Sequence, residues 1–443
     1  MENEMINTQK KVAFITLGCK VNQYDSDAMR SLFVHRGYVP AENGEEADVY
    51  VINTCSVTST GDKKSRQMIR RIRRSHPHAV IAAAGCYAQL APGEIEALGD
   101  VDVIIGTQNR SHIVDYVESA AREGKTVNQV SDIMACRDFE NLSVDAEGEV
   151  KTRAFIKVQE GCNNFCTFCI IPYARGRLKS RKLDDAVAEA SRLAKEGYRE
   201  IVLTGIHLGN YGVDLRDGTS LSSLVARLVE IPGLARIRLS SIESVELSPE
   251  LIRLVKEEPK VCPHLHLPLQ SGSDAVLRGM NRHYRLDAYR KLITGIRASV
   301  PDLALTTDLI VGFPGETEEL FQETLHTLEE FQFSGIHVFP YSKRTGTPAA
   351  SYPDQVPEAV KKERVRRVQA LEAGISRAYR TRFLGKTVRV LAEEEKNGAF
   401  EGLSDEYIRV FMKGDAHRGG LYYVKAEEVT DEGLAGTIIG MAE

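Results

Sequence analysis

The sequence lacks long hydrophobic runs. It begins with polar and acidic residues, and its first apolar run, Val12–Leu17, is too short for the hydrophobic region of a secretion signal. No stretch approaches the roughly 20 apolar residues that a membrane-spanning helix needs. We therefore expect a cytoplasmic protein without membrane association.

The chain also lacks an excess of positive charge. Its 57 Lys and Arg residues against 62 Asp and Glu residues give a formal net charge of −5. An acidic partner would therefore have to be bound by local basic patches. With 443 residues, 42% of them apolar, the chain can bury large cores without disulfides. Its eight cysteines are typical of metal binding or catalysis in a reducing compartment.

Three cysteines, Cys162, Cys166 and Cys169, form the pattern C-x3-C-x2-C, with Phe168 directly before the last one. Three thiolates at this spacing can bind three irons of a 4Fe-4S cluster and leave the fourth iron open to another ligand. The alternative is a structural zinc site, which usually takes its ligands from two paired cysteine knuckles. The sequence has no second knuckle, so the spacing favours a cluster with one open iron.

The first part of the chain, residues 1–130, alternates short apolar runs with helix-length segments. This alternation predicts a doubly wound α/β domain, with a parallel sheet covered on both faces. Residues 131–150 are polar and acidic and are predicted to be a linker. The predicted strands are Val12–Leu17, Asp48–Ile52, Ala79–Ala84 and Val101–Ile105, and the predicted helices include Ser26–Arg36, Gly61–Arg74 and Gly93–Leu98.

The alternation resumes over residues 151–373, where about six β/α units predict a partial or complete TIM-like β/α barrel. A long charged helix is expected at Pro357–Arg382. Residues 374–443 contain short alternating runs without helices, which predict a small β-barrel. The predicted strands of the central segment are Ala154–Gln159, Glu200–Leu203, Arg236–Leu239, His264–Leu267, Leu305–Ile310 and Gly335–Phe339.

A second set of three cysteines follows the predicted N-terminal strands. Cys19, Cys55 and Cys86 each come directly after one strand. Because ligands of open α/β sheets collect beyond the carboxyl ends of the strands, these thiols are expected to converge. The neighbouring Gly18 and Gly85 would let the backbone approach a bulky ligand. Three buried cysteines acting as small apolar residues are the alternative, but their register favours a second cluster.

The cysteine patterns and the neighbouring segments resemble the radical S-adenosylmethionine methylthiotransferase family over nearly the whole chain. The C-terminal barrel resembles the TRAM module, an RNA-binding domain. The family-like stretches are Gly18–Asn22, Asn53–Cys55, Gly85–Cys86, Glu160–Pro172, Leu203–Gly212, His266–Arg278 and Thr307–Thr317.

The resemblance implies two 4Fe-4S clusters and the cofactor S-adenosyl-L-methionine. The cluster on Cys162, Cys166 and Cys169 would cleave S-adenosylmethionine to give a radical that takes a hydrogen atom from the substrate. An auxiliary cluster on Cys19, Cys55 and Cys86 would carry the sulfur, which a second S-adenosylmethionine would methylate. The electron would come from a donor such as flavodoxin or ferredoxin.

Phe168 in the cysteine loop and several residues at predicted strand ends are candidate contacts of S-adenosylmethionine. Turn formation and ordinary surface polarity are the alternatives for them. The candidates are Phe168, Thr204, Gly205, Gly209, Ser240, Glu243, Gln270, Asp308 and Gly312.

A basic run follows the cysteine loop directly, where cations could bind phosphates near a target nucleotide. We expect it to bind RNA. Its members are Arg175, Arg177, Lys179 and Arg181.

Two stretches, Gln159–Asn164 and Thr204–Gly209, resemble the branch that acts on threonylcarbamoyladenosine. The resemblance implies that the chain adds a methylthio group to C2 of N6-threonylcarbamoyladenosine at adenosine-37, next to the anticodon of tRNA. Alternatives are N6-isopentenyladenosine in tRNA and an aspartate of a ribosomal protein. A further alternative is a non-catalytic, metal-containing RNA-binding protein.

Overall fold

The structure, a computed structural model, describes residues 9–42, 44–145, 152–396 and 398–442. The chain divides into two compact units, and the limits predicted for the four sequence segments stay a prediction. The first unit contains Met1–Glu147, Glu160–Asn163 and Cys169–Arg181, and the second contains Gly148–Gln159, Asn164–Phe168 and Lys182–Glu443.

A six-stranded sheet forms the centre of the first unit. Its strand order is β2-β1-β3-β4-β5-β6, and every neighbouring pair is parallel. The strands are β1 (Lys11–Thr16), β2 (Val39–Pro40), β3 (Val49–Thr54), β4 (Val80–Gly85), β5 (Val103–Ile104) and β6 (Val127–Asn128). The helices of this unit are α1 (Lys20–His35), α2 (Ser59–Ser75), α3 (Cys86–Leu90), α4 (Pro92–Glu96), α5 (Ile113–Glu123) and α6 (Ile171–Arg175).

Helices cover both faces of this sheet because successive strand residues point to opposite sides. Val49 and Val51 of β3 belong to the core formed with α1 and α5. Tyr50 and Ile52 belong to the core formed with α2, α3 and α4. Both sets are buried. The prediction of a doubly wound α/β sheet is therefore confirmed.

The second unit contains a six-stranded, all-parallel partial β/α barrel, as predicted. The strands pair in the orders β7-β10-β11 and β12-β13-β14, and single parallel bridges join the two groups. The six strands are β7 (Arg153–Lys157), β10 (Glu200–Thr204), β11 (Arg236–Leu239), β12 (His264–His266), β13 (Ala304–Val311) and β14 (Gly335–Pro340). Two short strands, β8 (Gln159–Glu160) and β9 (Lys179–Ser180), do not belong to these sheets. The helices are α7 (Leu183–Lys195), α8 (Leu221–Val229), α9 (Pro249–Glu257), α10 (Asp274–Gly279), α11 (Leu286–Ser299), α12 (Glu318–Phe331) and α13 (Glu358–Thr381).

The C-terminal residues form a closed five-stranded barrel, which confirms the predicted small β-barrel. All its neighbouring strands are antiparallel except β17 and β19. The strands are β15 (Thr387–Lys396), β16 (Ala399–Ser404), β17 (Arg409–Lys413), β18 (Leu421–Val429) and β19 (Leu434–Met441).

A buried ionic cluster attaches this barrel to strands β10 and β11. Arg236 and Arg238 both form ion pairs with the fully buried Glu200. Burial would raise the pKa of Glu200, but the two guanidinium groups lower it to about 2. The barrel contributes Asp405, 3.1 Å from Arg236, and Tyr407, whose ring centre lies 5.0 Å from the guanidinium of Arg238.

Within the described ranges, no helix combines the length and the apolar character needed to cross a membrane.

Candidate functional site

The second three-cysteine set of the sequence lies at one edge of the sheet in the first unit. Cys19 is the N-cap residue of α1, Cys55 follows β3, and Cys86 begins α3 after β4. Strands β1, β3 and β4 are neighbours and run parallel, so their carboxyl ends lie side by side. The structure therefore brings the three thiols together, as the sequence predicted.

Two glycines allow this close approach. Gly18 has φ +108°, and a Cβ at this position would lie 3.0 Å from Sγ of Cys55. Gly85 has φ +93°, and its Cβ would lie 2.3 Å from Oδ1 of Asn53. Because positive φ is costly for residues with a side chain, both positions favour glycine.

Burial favours the protonated form of these thiols, and a buried cation beside them opposes this effect. Burial raises the pKa of Cys86 to about 11, and the Arg175 guanidinium beside it opposes this rise. Burial also raises the pKa of Cys55. Thiols bind metals as thiolates, so the binding of a cluster here would release protons. The set of three convergent sulfurs fits an iron–sulfur cluster with one open iron.

Arg175 is the centre of a buried ionic network in the first unit. Its side chain has no solvent exposure, lies 3.2 Å from Asp25 and also pairs with Glu160 and Asn22. Arg110 binds the same two carboxylates, at 2.5 Å from Asp25 and 3.0 Å from Glu160. The network thus joins α1, the segment before Cys162 and the end of α6 beside the thiols.

This burial corrects the expectation that the basic run lies on a surface that binds RNA. Arg175, Lys179 and Arg181 are 0%, 1% and 3% exposed. Arg181 lies 3.4 Å from the hydroxyl of Tyr24. Arg177 is the exposed member of the predicted set, so a role in phosphate binding stays a prediction for this residue.

The C-x3-C-x2-C loop is held by backbone hydrogen bonds on both sides. In the first unit, the Cys162 N–H donates to the carbonyl of Gly176 at 3.1 Å, and Cys169 precedes α6. In the second unit, Thr167 donates from its N–H to the carbonyl of Met280 at 3.1 Å and from its hydroxyl to Gly279 at 2.8 Å. The two bonds of Thr167 fix the backbone next to Cys166.

Phe168 packs at the carboxyl ends of β13 and β14. It contacts the apolar cluster that includes Met280, Phe313 and Tyr341. Phe313 follows β13 and Tyr341 follows β14. Active sites of β/α barrels form at this end of the strands, so the loop lies where the fold predicts catalysis.

A guanidinium binds one of the loop cysteines in the second unit. Nη1 of Arg282 lies 3.3 Å from Sγ of Cys166, and its Nη2 pairs with Glu243. The ring of Tyr284 lies against the same guanidinium at 5.1 Å. The sequence predicts Cys166 and Glu243 as site residues but not Arg282, because no local pattern connects these distant positions.

The loop after β10 approaches its neighbours closely at both predicted glycines. A Cβ on Gly205 would lie 2.9 Å from Cβ of Gln159, and a Cβ on Gly209 would lie 2.3 Å from Oε2 of Glu246. Between them, the buried His207 pairs with Glu246 and lies 3.4 Å from Nδ2 of Asn164 in the cysteine loop. Sequence analysis did not select His207.

The remaining candidates differ in their accessibility. Thr204 is 2% exposed, and the hydroxyl of Ser240 donates to the carbonyl of Leu203. Gln270 has φ +60°. A Cβ on Gly312 would lie 2.4 Å from the side chain of Lys361, which explains this glycine by packing. A contact of these residues with S-adenosylmethionine stays a prediction.

Asp308 lies between two histidines on the barrel sheet. Its Oδ2 is 3.2 Å from Nε2 of His266, and its Oδ1 is 3.4 Å from Nδ1 of His337. Burial would raise the pKa of Asp308, but the hydrogen bonds from the two imidazoles lower it below its usual value. Asp308 is therefore a carboxylate held by two histidines.

Comparisons with known proteins agree with this arrangement. The profile of the Radical SAM superfamily matches residues 156–328, and that of the Uncharacterized protein family UPF0004 matches residues 11–106. The chain is 47% identical over 408 residues to the threonylcarbamoyladenosine tRNA methylthiotransferase MtaB of Bacillus subtilis, covering 91% of this chain and 90% of the relative. It is 39% identical over 447 residues to the tRNA-2-methylthio-N(6)-dimethylallyladenosine synthase of Acetivibrio thermocellus, covering 98% and 92%.

Among solved structures, the chain resembles the radical S-adenosylmethionine methyltransferase TsrM from Kitasatospora setae, with a TM-score of 0.55 and 15% identity. The match covers 77% of each chain and supports the fold alone. The sequence relatives establish more: the chain belongs to the radical S-adenosylmethionine methylthiotransferase family. It is an enzyme, and its cofactors are iron–sulfur clusters and S-adenosylmethionine.

Proposed function

We propose that this enzyme adds a methylthio group to C2 of N6-threonylcarbamoyladenosine at adenosine-37 of tRNA, using two 4Fe-4S clusters. The observation that carries this proposal is the convergence of Cys19, Cys55 and Cys86 at one sheet edge, in addition to the C-x3-C-x2-C loop. A methylthiotransferase needs a source of radicals and a source of sulfur, and two separate cysteine sets can supply both.

The two cysteine sets would have different tasks. Bound to Cys162, Cys166 and Cys169, a cluster supplies the electron that cleaves S-adenosylmethionine, whereas one bound to Cys19, Cys55 and Cys86 supplies sulfur for transfer. Around the first set, Arg282 holds Cys166 and Glu243 in one arrangement.

Arg175 has the corresponding place beside the second cysteine set. It is a buried cation against Cys86, where it offsets the negative charge of thiolate ligands. Hydrogen bonds to the sulfurs and the burial of the site set the reduction potential of such clusters.

The identity of the substrate rests on the relatives. The MtaB proteins of Bacillus subtilis and Aquifex aeolicus, 47% and 41% identical to this chain, are named for threonylcarbamoyladenosine in tRNA. The relative from Acetivibrio thermocellus, 39% identical, is named for N6-dimethylallyladenosine and supports this second candidate substrate. The cytoplasmic location and a flavodoxin or ferredoxin as electron donor stay predictions.

The C-terminal barrel offers a surface for tRNA. Tyr423 on β18 is 43% exposed and available to stack on a base, whereas its neighbour Tyr422 is buried and bonded to His417. Tyr407 is occupied by His264, whose ring stacks on it with centroids 4.4 Å apart. We therefore assign RNA contact to Tyr423 and the attachment of the barrel to Tyr407.

Mass analysis of tRNA nucleosides tests the proposal. Deletion of the gene should abolish methylthio-threonylcarbamoyladenosine, and the intact gene should restore it. Cys86→Ser should not restore it, whereas Cys136→Ser is the matched control, because Cys136 lies in neither cysteine set. Persistence of the nucleoside in a deletion strain without a second such enzyme would contradict the assignment. Loss of methylthio-isopentenyladenosine instead would favour the second candidate substrate.

Iron analysis separates the two cysteine sets. The anaerobically reconstituted enzyme should contain about eight irons per chain, because each 4Fe-4S cluster has four. Replacement of Cys162, Cys166 and Cys169 by Ala should leave about four irons. Zinc without acid-labile sulfide would contradict the proposal and favour a non-catalytic RNA-binding protein.

A further inference from the structure

A group of two histidines and an aspartate lies on the barrel sheet, with one histidine exposed. His337 on β14 has 57% of its side chain exposed, although Asp308 on β13 holds its Nδ1. His266 on β12 lies behind the same carboxylate with only 12% exposure, and its Nδ1 lies 2.9 Å from the hydroxyl of Thr306. Asp308 and His266 are thus held in place by their neighbours, whereas the imidazole of His337 reaches solvent.

His337 lies on β14, and the residue that follows this strand packs in the same apolar cluster as Phe168 of the cysteine loop. His337 and Phe339 point to the same face of β14, because side chains alternate along a strand, and Tyr341 follows directly after the strand. Tyr341 contacts the cluster that contains Phe168. Since a strand rises about 3.3 Å per residue, His337 lies roughly 13 Å from Tyr341 along the chain. Phe339, between them, is 47% exposed.

The sequence of Tyr341, Phe339 and His337, going away from the cysteine loop, matches the geometry of a substituted adenine. The reacting carbon, C2, must face the cysteine loop, and the substituent on N6 points away from it. A purine stacked on Phe339 would place its substituent near His337.

The three residues also have the composition of a metal site, since their ligand atoms lie within 4.8 Å of one another. However, each oxygen of Asp308 already accepts a hydrogen bond from one imidazole. A metal would have to replace both bonds. The second ring nitrogen of His337, Nε2, lies on the side of the ring away from Asp308 and can bind a ligand without this loss.

We propose that His337, positioned by Asp308 and His266, binds the threonylcarbamoyl substituent of the substrate and discriminates against the isopentenyl substituent. The inference rests on the proposed function. The threonylcarbamoyl group carries a carboxylate, a hydroxyl and urea N–H groups, whereas the isopentenyl group is a hydrocarbon. As a neutral imidazole, His337 accepts a hydrogen bond at Nε2 from the hydroxyl or an N–H. As an imidazolium, it donates to the carboxylate.

Kinetics with two tRNA substrates test this proposal. The reconstituted enzyme is assayed with tRNA that carries either N6-threonylcarbamoyladenosine or N6-isopentenyladenosine. His337→Phe should lower kcat/KM for the first tRNA by roughly 10- to 100-fold, the effect of losing a hydrogen bond to a charged group. Most of the change should be in KM. The ratio of kcat/KM for isopentenyladenosine tRNA to kcat/KM for threonylcarbamoyladenosine tRNA should rise in His337→Phe. His337→Gln should retain more activity on threonylcarbamoyladenosine tRNA than His337→Phe.

Three controls make the result decisive. His326→Phe places the same substitution on an exposed site of α12 and should leave both tRNA activities unchanged. The cluster iron content and the Tm of His337→Phe should equal those of the wild type, which shows that the variant is folded. Metal analysis should give the same metal content for wild type and His337→Phe, with cluster iron as the metal in both.

Failure of this inference and failure of the proposed function are distinguishable. Equal kcat/KM of wild type and His337→Phe on threonylcarbamoyladenosine tRNA would overturn the role of His337 and leave the proposed function standing. A stoichiometric metal lost in His337→Phe would also overturn it. A wild-type enzyme that converts only isopentenyladenosine tRNA would overturn both.

Discussion

Replacement of Arg175 by Met is the most direct test of the buried network in the first unit. The guanidinium is fully buried and neutralises Asp25 and Glu160. Removing one partner of a buried ion pair costs about 3–5 kcal/mol, because it leaves charge without compensation. Arg110 remains 2.5 Å from Asp25 and 3.0 Å from Glu160, so the loss should lie at the lower limit, about 3 kcal/mol.

Scanning calorimetry of the anaerobic holoenzyme measures this loss. A decrease of about 3 kcal/mol should lower the Tm of the affected transition by roughly 6–12 °C in a unit of this size. Cys86 lies beside the lost cation, so the variant should also retain less iron during gel filtration.

The matched control is Arg177→Met, two residues further along the chain. Arg177 is exposed, so its replacement should change the stability by no more than about 0.5 kcal/mol. Equal transition temperatures and equal iron contents in the two variants would refute the argument, because they would show that the buried network has no net effect.

Three other perturbations have defined outcomes. Gly85→Ala should lower stability and iron content more than Gly99→Ala, because only the first Cβ meets neighbouring atoms although both glycines have positive φ. Equal losses of stability and iron in the two variants would show that backbone strain alone, without the contacts of the added Cβ, determines the effect. Tyr407→Ala should accelerate release of the C-terminal barrel by limited proteolysis, whereas Tyr423→Ala, at an exposed position, should not. The lowered pKa of Glu200 stabilises the fold above pH 4.5 by about 3 kcal/mol, a contribution that is lost as the pH falls towards 2. The difference in stability between wild type and Glu200→Gln should therefore shrink on acidification in urea titrations, and a constant difference would contradict this assignment.

Much of the fold follows from the periodicity of apolar residues. The strand predicted at Arg236–Leu239 has the observed limits, and the long helix predicted at Pro357–Arg382 is Glu358–Thr381. The helix predicted from Ser26 begins at Lys20. Its first turns were not predicted because buried polar residues, Asn22 and Asp25, lie among the apolar residues there. The apolar runs of the C-terminal segment predict strands at Thr387–Leu391, Tyr407–Phe411, Leu421–Val424 and Leu434–Ile439 but not β16, because Glu401 and Gly402 interrupt the alternation there.

The candidate site was predictable only where the pattern is local or follows from strand order. The spacing of Cys162, Cys166 and Cys169 is local, and the position of Cys86 after a strand gave its placement. The prediction that Arg175 lies on an RNA-binding surface was wrong, because an arginine within a basic run has the sequence pattern of a surface residue although it is buried. The carboxylates that bury it lie 150 and 15 residues away.

The ionic cluster below the C-terminal barrel has a consequence for synthesis on the ribosome. Arg238 bonds a backbone carbonyl of Asp405, 167 residues later in the chain. At a synthesis rate of about 5–20 residues per second, roughly 10–30 s pass between the two. During this interval the charges on β10 and β11 have no barrel to cover them and stay in contact with water. The final step of assembly is therefore the desolvation of these charges by the last part of the chain to emerge. A nascent chain that stops before the barrel would leave this ionic surface open to solvent.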